Sequence, residues 1–131
     1  MSKRQREKYA ARKVAAKAAL PHAKLSLLRM PASKVRLVVD LIRGKPVEQA
    51  LNIVTFTPKY ASLHIAKLLR SAVANADQKG GYDVDRLIVK DAQVGEAPMM
   101  KRFRPRAMGR AGKILKRSCH ITLQLGLAEG K

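Results

Sequence analysis

Carboxylates are the scarcest functional group in this chain: nine Asp and Glu stand against 28 Lys and Arg in 131 residues, for a formal charge of +19. Acids so few and so scattered offer no pair for general acid–base work, and no nucleophile has a neighbour to activate it, so no catalytic residue can be nominated. His22, His64 and His120 have neither metal-ligand spacing nor a carboxylate close in sequence, so no metal and no cofactor is expected. One cysteine, Cys119, excludes an internal disulfide and any CxxC redox or metal motif. It reads as core filler beside Ile121, in a chain suited to a reducing compartment. Long apolar runs are also missing. The longest are broken by charges within a few positions, far short of the roughly twenty residues that span a bilayer, so no membrane partner is expected.

What is present is enough apolar material, 47% of residues, to build one modest core. The charge favours a polyanionic neighbour, chiefly nucleic acid. The opening MSKRQREKYAARKVAAKAAL lacks the apolar centre of a secretory signal, and its scarcity of serine argues against an organelle transit peptide. It reads as a basic N-terminal extension over 1–21, followed by a single domain over 22–131.

Within that domain the periodicity alternates between strand and helix. HAKLSLLRM places Ala23, Leu25 and Leu27 at period two, a short strand. Val35, Val38, Val39 and Ile42 fall at helical spacing and Gly44 supplies a left-handed stop, which predicts a first helix over about 32–43. Pro46 suits the first turn of a second helix ending near Phe56, with Val47, Ala50, Leu51 and Val54 on one face. Thr57–Pro58 reads as cap and first turn of a third helix, whose stripe is Ala61, Ile65, Leu68, Leu69, Ala72 and Ala76 and which ends at KGGY. His64 is expected on its surface. In DRLIVKDAQV, Leu87 and Val89 are out of phase with Ala92 and Val94, which predicts a bulge near Lys90 or Asp91. The last strand is regular: Cys119, Ile121, Leu123 and Leu125 alternate with His120, Thr122 and Gln124. The class is therefore α+β.

Between these two strands lies MMKRFRPRAMGRAGKILKR, residues 99–117, with Lys101, Arg102, Arg104, Arg106, Arg110, Lys113, Lys116 and Arg117 and no carboxylate. If the flanking strands pair antiparallel and the ladder runs through Glu96 and Lys113, the segment projects roughly 20–30 Å as a hairpin over about 86–125, tip about 99–112. A bare two-stranded ribbon of that length is not stable in water. Its environment must come from another molecule, and guanidinium forks suited to phosphate point to nucleic acid. A narrow ribbon with few aromatics fits irregular folded RNA. An architectural DNA-binding protein with a basic β-arm is the alternative. Phe103 either wedges or stacks between bases or packs on its own hairpin. Met99, Met100 and Met108 either touch bases or face a cavity. His120, on the wet face beside Arg117, is either an RNA contact or simply exposed. GRAGK at 109–113 is not a phosphate-binding loop, because Ala107 and Ile114 occupy the positions of its first glycine and its hydroxyl and a strand follows. An RNA-modifying enzyme would need His120 or Cys119 to act, and neither has the necessary neighbours.

Several tracts carry a resemblance. Lys101-x4-Arg106-Ala107-x-Gly109-Arg110, nine residues, then His120-Ile-x-Leu-x-Leu resembles the signature of the bacterial large-subunit ribosomal protein twenty-two family. KVRLVVDLIRGK at 34–45, RSAVANADQ at 70–78 and MKRFRPRAMGRA at 100–111 are also similar to it, and the match runs from about His22 to Leu125. The resemblance implies three helices packed on a small three-stranded antiparallel sheet with a long protruding β-hairpin, in a non-catalytic cytoplasmic constituent of the ribosome. The implied partners are large-subunit rRNA, neighbouring large-subunit ribosomal proteins and the nascent polypeptide, with no small-molecule substrate. Carried onto this chain, the rRNA-binding residues are Lys34, Arg36, Lys101, Arg102, Arg104, Arg106, Arg110, Lys113, Lys116, Arg117 and His120. The tunnel-lining tip comprises Met99, Met100, Lys101, Arg102, Phe103, Arg104, Pro105 and Arg106. Where the family often opens its first helix with Ser-Pro, this chain reads Met30–Pro31–Ala32, which puts the capping interaction in question.

Overall fold

A computed structural model describes residues 4–8 and 20–128, so most of the N-terminal extension expected over 1–21 lies outside the described residues. In chain order the domain contains strand β1 (His22–Leu28), helices α1 (Ala32–Ile42), α2 (Val47–Phe56) and α3 (Tyr60–Lys79), strand β2 (Leu87–Pro105) and strand β3 (Ala111–Leu127). Single 3-10 turns precede β2 at Val84–Arg86 and join β2 to β3 at Ala107–Gly109. The sheet is antiparallel in the order β1-β3-β2. The regular final strand is thus central, its inward residues Cys119, Ile121, Leu123 and Leu125 fully buried against the helices while His120, Thr122 and Gln124 are half-exposed.

The helices bury the stripes their spacing predicts, Val35, Val38, Val39 and Ile42 on α1 and Ala61 through Ala76 on α3, while on α2 Val47, Ala50 and Val54 are buried and Leu51 only half-buried. Leu123 shows how closely the sheet and helices are fitted. It is fully buried and pairs with Ala23 on one side and Ala92 on the other, small neighbours that leave room for its branched side chain. Those alanines cannot expand into the space if it is removed. Leu123→Ala is therefore expected to destabilise the fold by about 3–5 kcal/mol, read as a lower urea midpoint at unchanged slope.

The junctions depart from expectation in instructive ways. The bulge predicted near Lys90 is present, as a register shift between Val89 and Asp91. In β1, Leu27 is not on the inward face with Ala23 and Leu25. A bulge between Leu25 and Leu28 turns Leu27 outward at φ +56° and 60% exposed, and buried Leu28 takes the inward place. Gly44 is left-handed at φ +74°, as a stop for α1 requires. Its N–H also donates to Val89 O at 2.9 Å, while Val89 N–H donates to Lys45 O at 2.9 Å and Pro46 bridges Ile88. The connection between α1 and α2 therefore guards the edge of β2, and Pro46 sits one position earlier than expected, as cap instead of first turn. Thr57 and Pro58 do not open α3, which starts at Tyr60 with Lys59 as cap. The Thr57 hydroxyl instead donates back to Ile53 O at 2.6 Å and closes α2, and Ser62 Oγ–H donates to Thr57 O at 2.8 Å.

Candidate nucleic-acid interface

Beyond Ala97 and Ser118 the two long strands leave the body. Their ladder resumes at Met100↔Lys116 and runs unbroken to Pro105↔Ala111, further than the expected pairing through Glu96 and Lys113. The arm from Pro98 to Pro105 carries the tip roughly 26 Å out at roughly 3.3 Å per residue. A register shift between Ala97 and Met100 marks its root. Pro98 in the middle of an otherwise β-rich run was the available signal for this second bulge, because proline cannot donate to a ladder.

From Pro98 to Arg117 every residue is exposed except the half-buried Gly112. Direct cross-strand partners share a face, which puts Met100, Lys116, Arg102 and Ile114 on one side and Lys101, Leu115, Phe103 and Lys113 on the other. Both faces are therefore cationic with apolar side chains interleaved, and neither is apolar enough to lie on the body. The side-chain hydrogen bonds on the arm are local, Arg102 Nη1 to Lys101 O at 2.9 Å and Arg102 Nη2 to Met100 Sδ at 3.7 Å. At the tip, Arg106 N–H donates to Arg110 O at 2.7 Å across a turn in which Met108 (φ +59°) and Gly109 (φ +66°) are both left-handed. Met108 is 94% exposed and Phe103 68%, so Phe103 is not packed into its own hairpin.

The remaining expected contacts divide. Lys34 and Arg36 are exposed on α1, but Arg36 Nη2 donates to Val94 O at 3.3 Å and so also ties α1 to β2. Arg43, which sequence reasoning missed, does the same more firmly, with Nη2 on Ala92 O at 2.7 Å and Nη1 on Asp40 Oδ1 at 3.0 Å. His120 has an internal role as well. Its Nδ1 accepts from Leu27 N–H at 3.0 Å, supporting the bulge in β1. A donor at Nδ1 fixes the neutral ring as the tautomer protonated at Nε2, leaving that N–H as its outward donor. His64 is half-buried, its ring edge-on to Tyr60 at 5.1 Å.

A hollow of about 560 Å³ between α2 and α3 is lined by Val54, Tyr60, Leu63, Lys59, Lys67 and Arg70 among others, with no carboxylate, histidine or thiol. Among the described residues no three His, Cys, Asp or Glu side chains cluster as metal ligands, and no helix is long and apolar enough to cross a membrane. Cys119 is buried on the inward face of β3, and burial pushes its thiol up from the usual range, with the Arg36 guanidinium opposing the shift. The thiol should resist alkylation in the native chain and react only on unfolding, as mass spectrometry across a urea series will read. A thiol held neutral stabilises the fold below the unfolded thiol range, so that contribution is lost as pH rises above it.

Fold and site together define a small, basic α+β protein whose distinguishing part is a projecting cationic β-arm. The family model for ribosomal protein L22p/L17e matches residues 23–126. The large ribosomal subunit protein uL22 of Anaeromyxobacter sp. (strain Fw109-5) is 54% identical over 110 residues, covering 83% of this chain and 76% of that protein. Its counterpart in Geobacter sulfurreducens is 55% identical over 103 residues, covering 79% and 93%, and that of Lachnoclostridium phytofermentans 50% over 105, covering 80% and 82%. The chain belongs to the L22p/L17e family of ribosomal proteins.

Proposed function

We propose that the chain is a non-catalytic structural constituent of the large ribosomal subunit in the cytoplasm, whose body docks on large-subunit rRNA and whose arm threads inward between rRNA segments to line the nascent-peptide tunnel. The observation that carries this reading is the arm itself. From Met100 to Pro105 it is paired strand to strand, yet it has no core and no carboxylate among the eight cations over 99–117. Such a ribbon is at best marginal alone, and phosphates on several sides would neutralise it on both faces. Lys101, Arg102, Arg104, Arg106, Arg110, Lys113, Lys116 and Arg117 would contact the RNA backbone. Met99, Met100, Phe103 and Pro105 would accompany them at the tunnel wall, beside the nascent polypeptide. His120 would offer its Nε2–H, with Lys34 and Arg36 contributing from the body, which also meets neighbouring large-subunit proteins. The family membership supports this assignment over an architectural DNA-binding arm, and competition between structured rRNA fragments and bent duplex DNA distinguishes the two.

The decisive experiment is sedimentation of large subunits from cells after a high-salt wash. The chain is expected to remain with the subunit, and recovery in the supernatant would overturn the assignment. Crosslinking from Arg102 and Arg106 in intact cells is expected to yield large-subunit nucleotides.

A further inference from the structure

We infer that the root of the arm holds a discrete phosphate-binding pocket that takes the backbone of an RNA strand where the hairpin leaves the body. This rests on the RNA-binding reading above and adds to it a site where the arm meets the body, built with Arg29, Pro31 and Ser118 as well as arm residues. A cavity of about 410 Å³ opens there, with Arg29 from the β1–α1 turn, Arg102 from β2, and Lys116 and Arg117 from β3 on its wall. Four cations come from three separate stretches of chain, and no carboxylate lines the space. Glu96 lies in the small pocket adjoining, beside Arg117, and forms no ion pair with any of the four.

Ser118 supplies the second observation. It lines both pockets and is only 9% exposed, yet its hydroxyl makes no hydrogen bond among the described residues. Among the described residues no fully buried side-chain nitrogen or oxygen lacks a partner, so the Ser118 hydroxyl is not sealed from solvent, and the residue lines both hollows. A nearly buried donor facing a cationic space asks for an acceptor. The N-terminus of α1 borders the same region, because Pro31 lines the larger cavity and Ala32 the smaller. Pro31 gives α1 no side-chain cap and its first turn holds no acid, so the positive end of the helix adds to the field.

The cations, the hydroxyl and the helix end donate hydrogen bonds or attract negative charge, which selects an oxyanion; the guanidinium forks of Arg29, Arg102 and Arg117 match phosphate oxygens bidentately. The remaining lining, Met100 and Leu115, is apolar. A space of this size with such a floor suits a nucleotide unit, phosphate toward the cations and sugar or base on the apolar side. The pocket begins at Met100, on the outer side of the register shift between Ala97 and Met100, so an RNA strand seated in it would fix the direction in which the arm departs.

The test uses the full chain and purified large-subunit rRNA, with affinity measured across a salt series. Arg29→Gln is expected to weaken binding about tenfold and to lower the slope of log K against log salt by roughly 0.7–0.9, the signature of one lost phosphate contact. Ser118→Ala is expected to weaken it about fivefold at unchanged slope and unchanged melting temperature, since its hydroxyl supports nothing inside the fold. Arg86→Gln, the same charge change at the other end of β2, should alter neither quantity. If wild type binds and both pocket variants behave like Arg86→Gln, the pocket is refuted while the RNA-binding reading stands; if wild type itself fails to bind rRNA, that reading falls first. Titration with ADP followed by NMR at the Ser118 amide separates the phosphate sources. Saturation only at millimolar ADP is expected, and micromolar saturation with rRNA binding indifferent to Arg29→Gln would assign the pocket to a free nucleotide and overturn the RNA assignment.

Discussion

Raising salt from about 50 to 200 mM is expected to weaken binding of this chain to large-subunit rRNA by about 10³- to 10⁵-fold. The magnitude follows from the number of cations with nothing else to pair with. Eight Lys and Arg project from the arm without a carboxylate between 99 and 117, and the ion pairs that the body does form, Arg43–Asp40 and Arg86–Asp83, lie elsewhere. Each phosphate neutralised releases counterions, and the slope of log K against log salt counts them at roughly 0.7–0.9 apiece. Replacing Arg102, Arg104, Arg106 and Arg110 together by glutamine should lower that slope by roughly three and leave the melting temperature of the body unchanged, because all four side chains are exposed. A slope near zero for wild type, or a quadruple variant with the wild-type slope, would contradict an arm held by phosphates.

The second large effect concerns order in the free chain. Backbone amides at 119–125 lie in the central strand, paired on both sides beneath a buried face, and should exchange only through global opening. Amides at 99–112 belong to a two-stranded ribbon with no buried side chain, whose opening exposes almost nothing new to water. Their protection is expected to be lower by about 10³-fold or more in the free chain and to rise sharply when rRNA is added. Mass-resolved hydrogen exchange on the chain with and without rRNA measures both. Uniform protection across the arm and body without RNA would mean that the arm holds its own shape, and the central physical argument would fail.

These two expectations depend on features of unequal legibility. The helix stripes, the alternation of β3 and the bulge beside Lys90 could be read from spacing alone, because burial on one face imposes a period on the apolar residues. The uncompensated run over 99–117 was equally plain, since it is a matter of composition. The root of the arm was less so. Pro98 hinted at the second bulge, but Arg29 and Ser118 are separated from each other by most of the chain, and no local pattern pairs them. His120 could be placed on the wet face of its strand, yet its bond to Leu27 depends on a bulge in β1 that period-two counting missed.

Thr57 shows why junctions are the hardest part to read. A Thr-Pro pair before a helical run satisfies the cap rule, but the same hydroxyl could also reach the carbonyl four residues back, and with α3 starting only at Tyr60 it makes that backward bond. Residue order by itself determined the buried stripes of α1, α3 and β3 and that the segment over 99–117 could not be neutral, because periodicity and charge are properties of the string. Only the folded arrangement decided where Arg29, Ser118, Lys116 and the start of α1 would meet, which arginines would be spent on backbone carbonyls, and which ring nitrogen of His120 would face outward. Those outcomes depend on strand register and helix packing, and a shift of one residue in either would have sent the same side chains elsewhere.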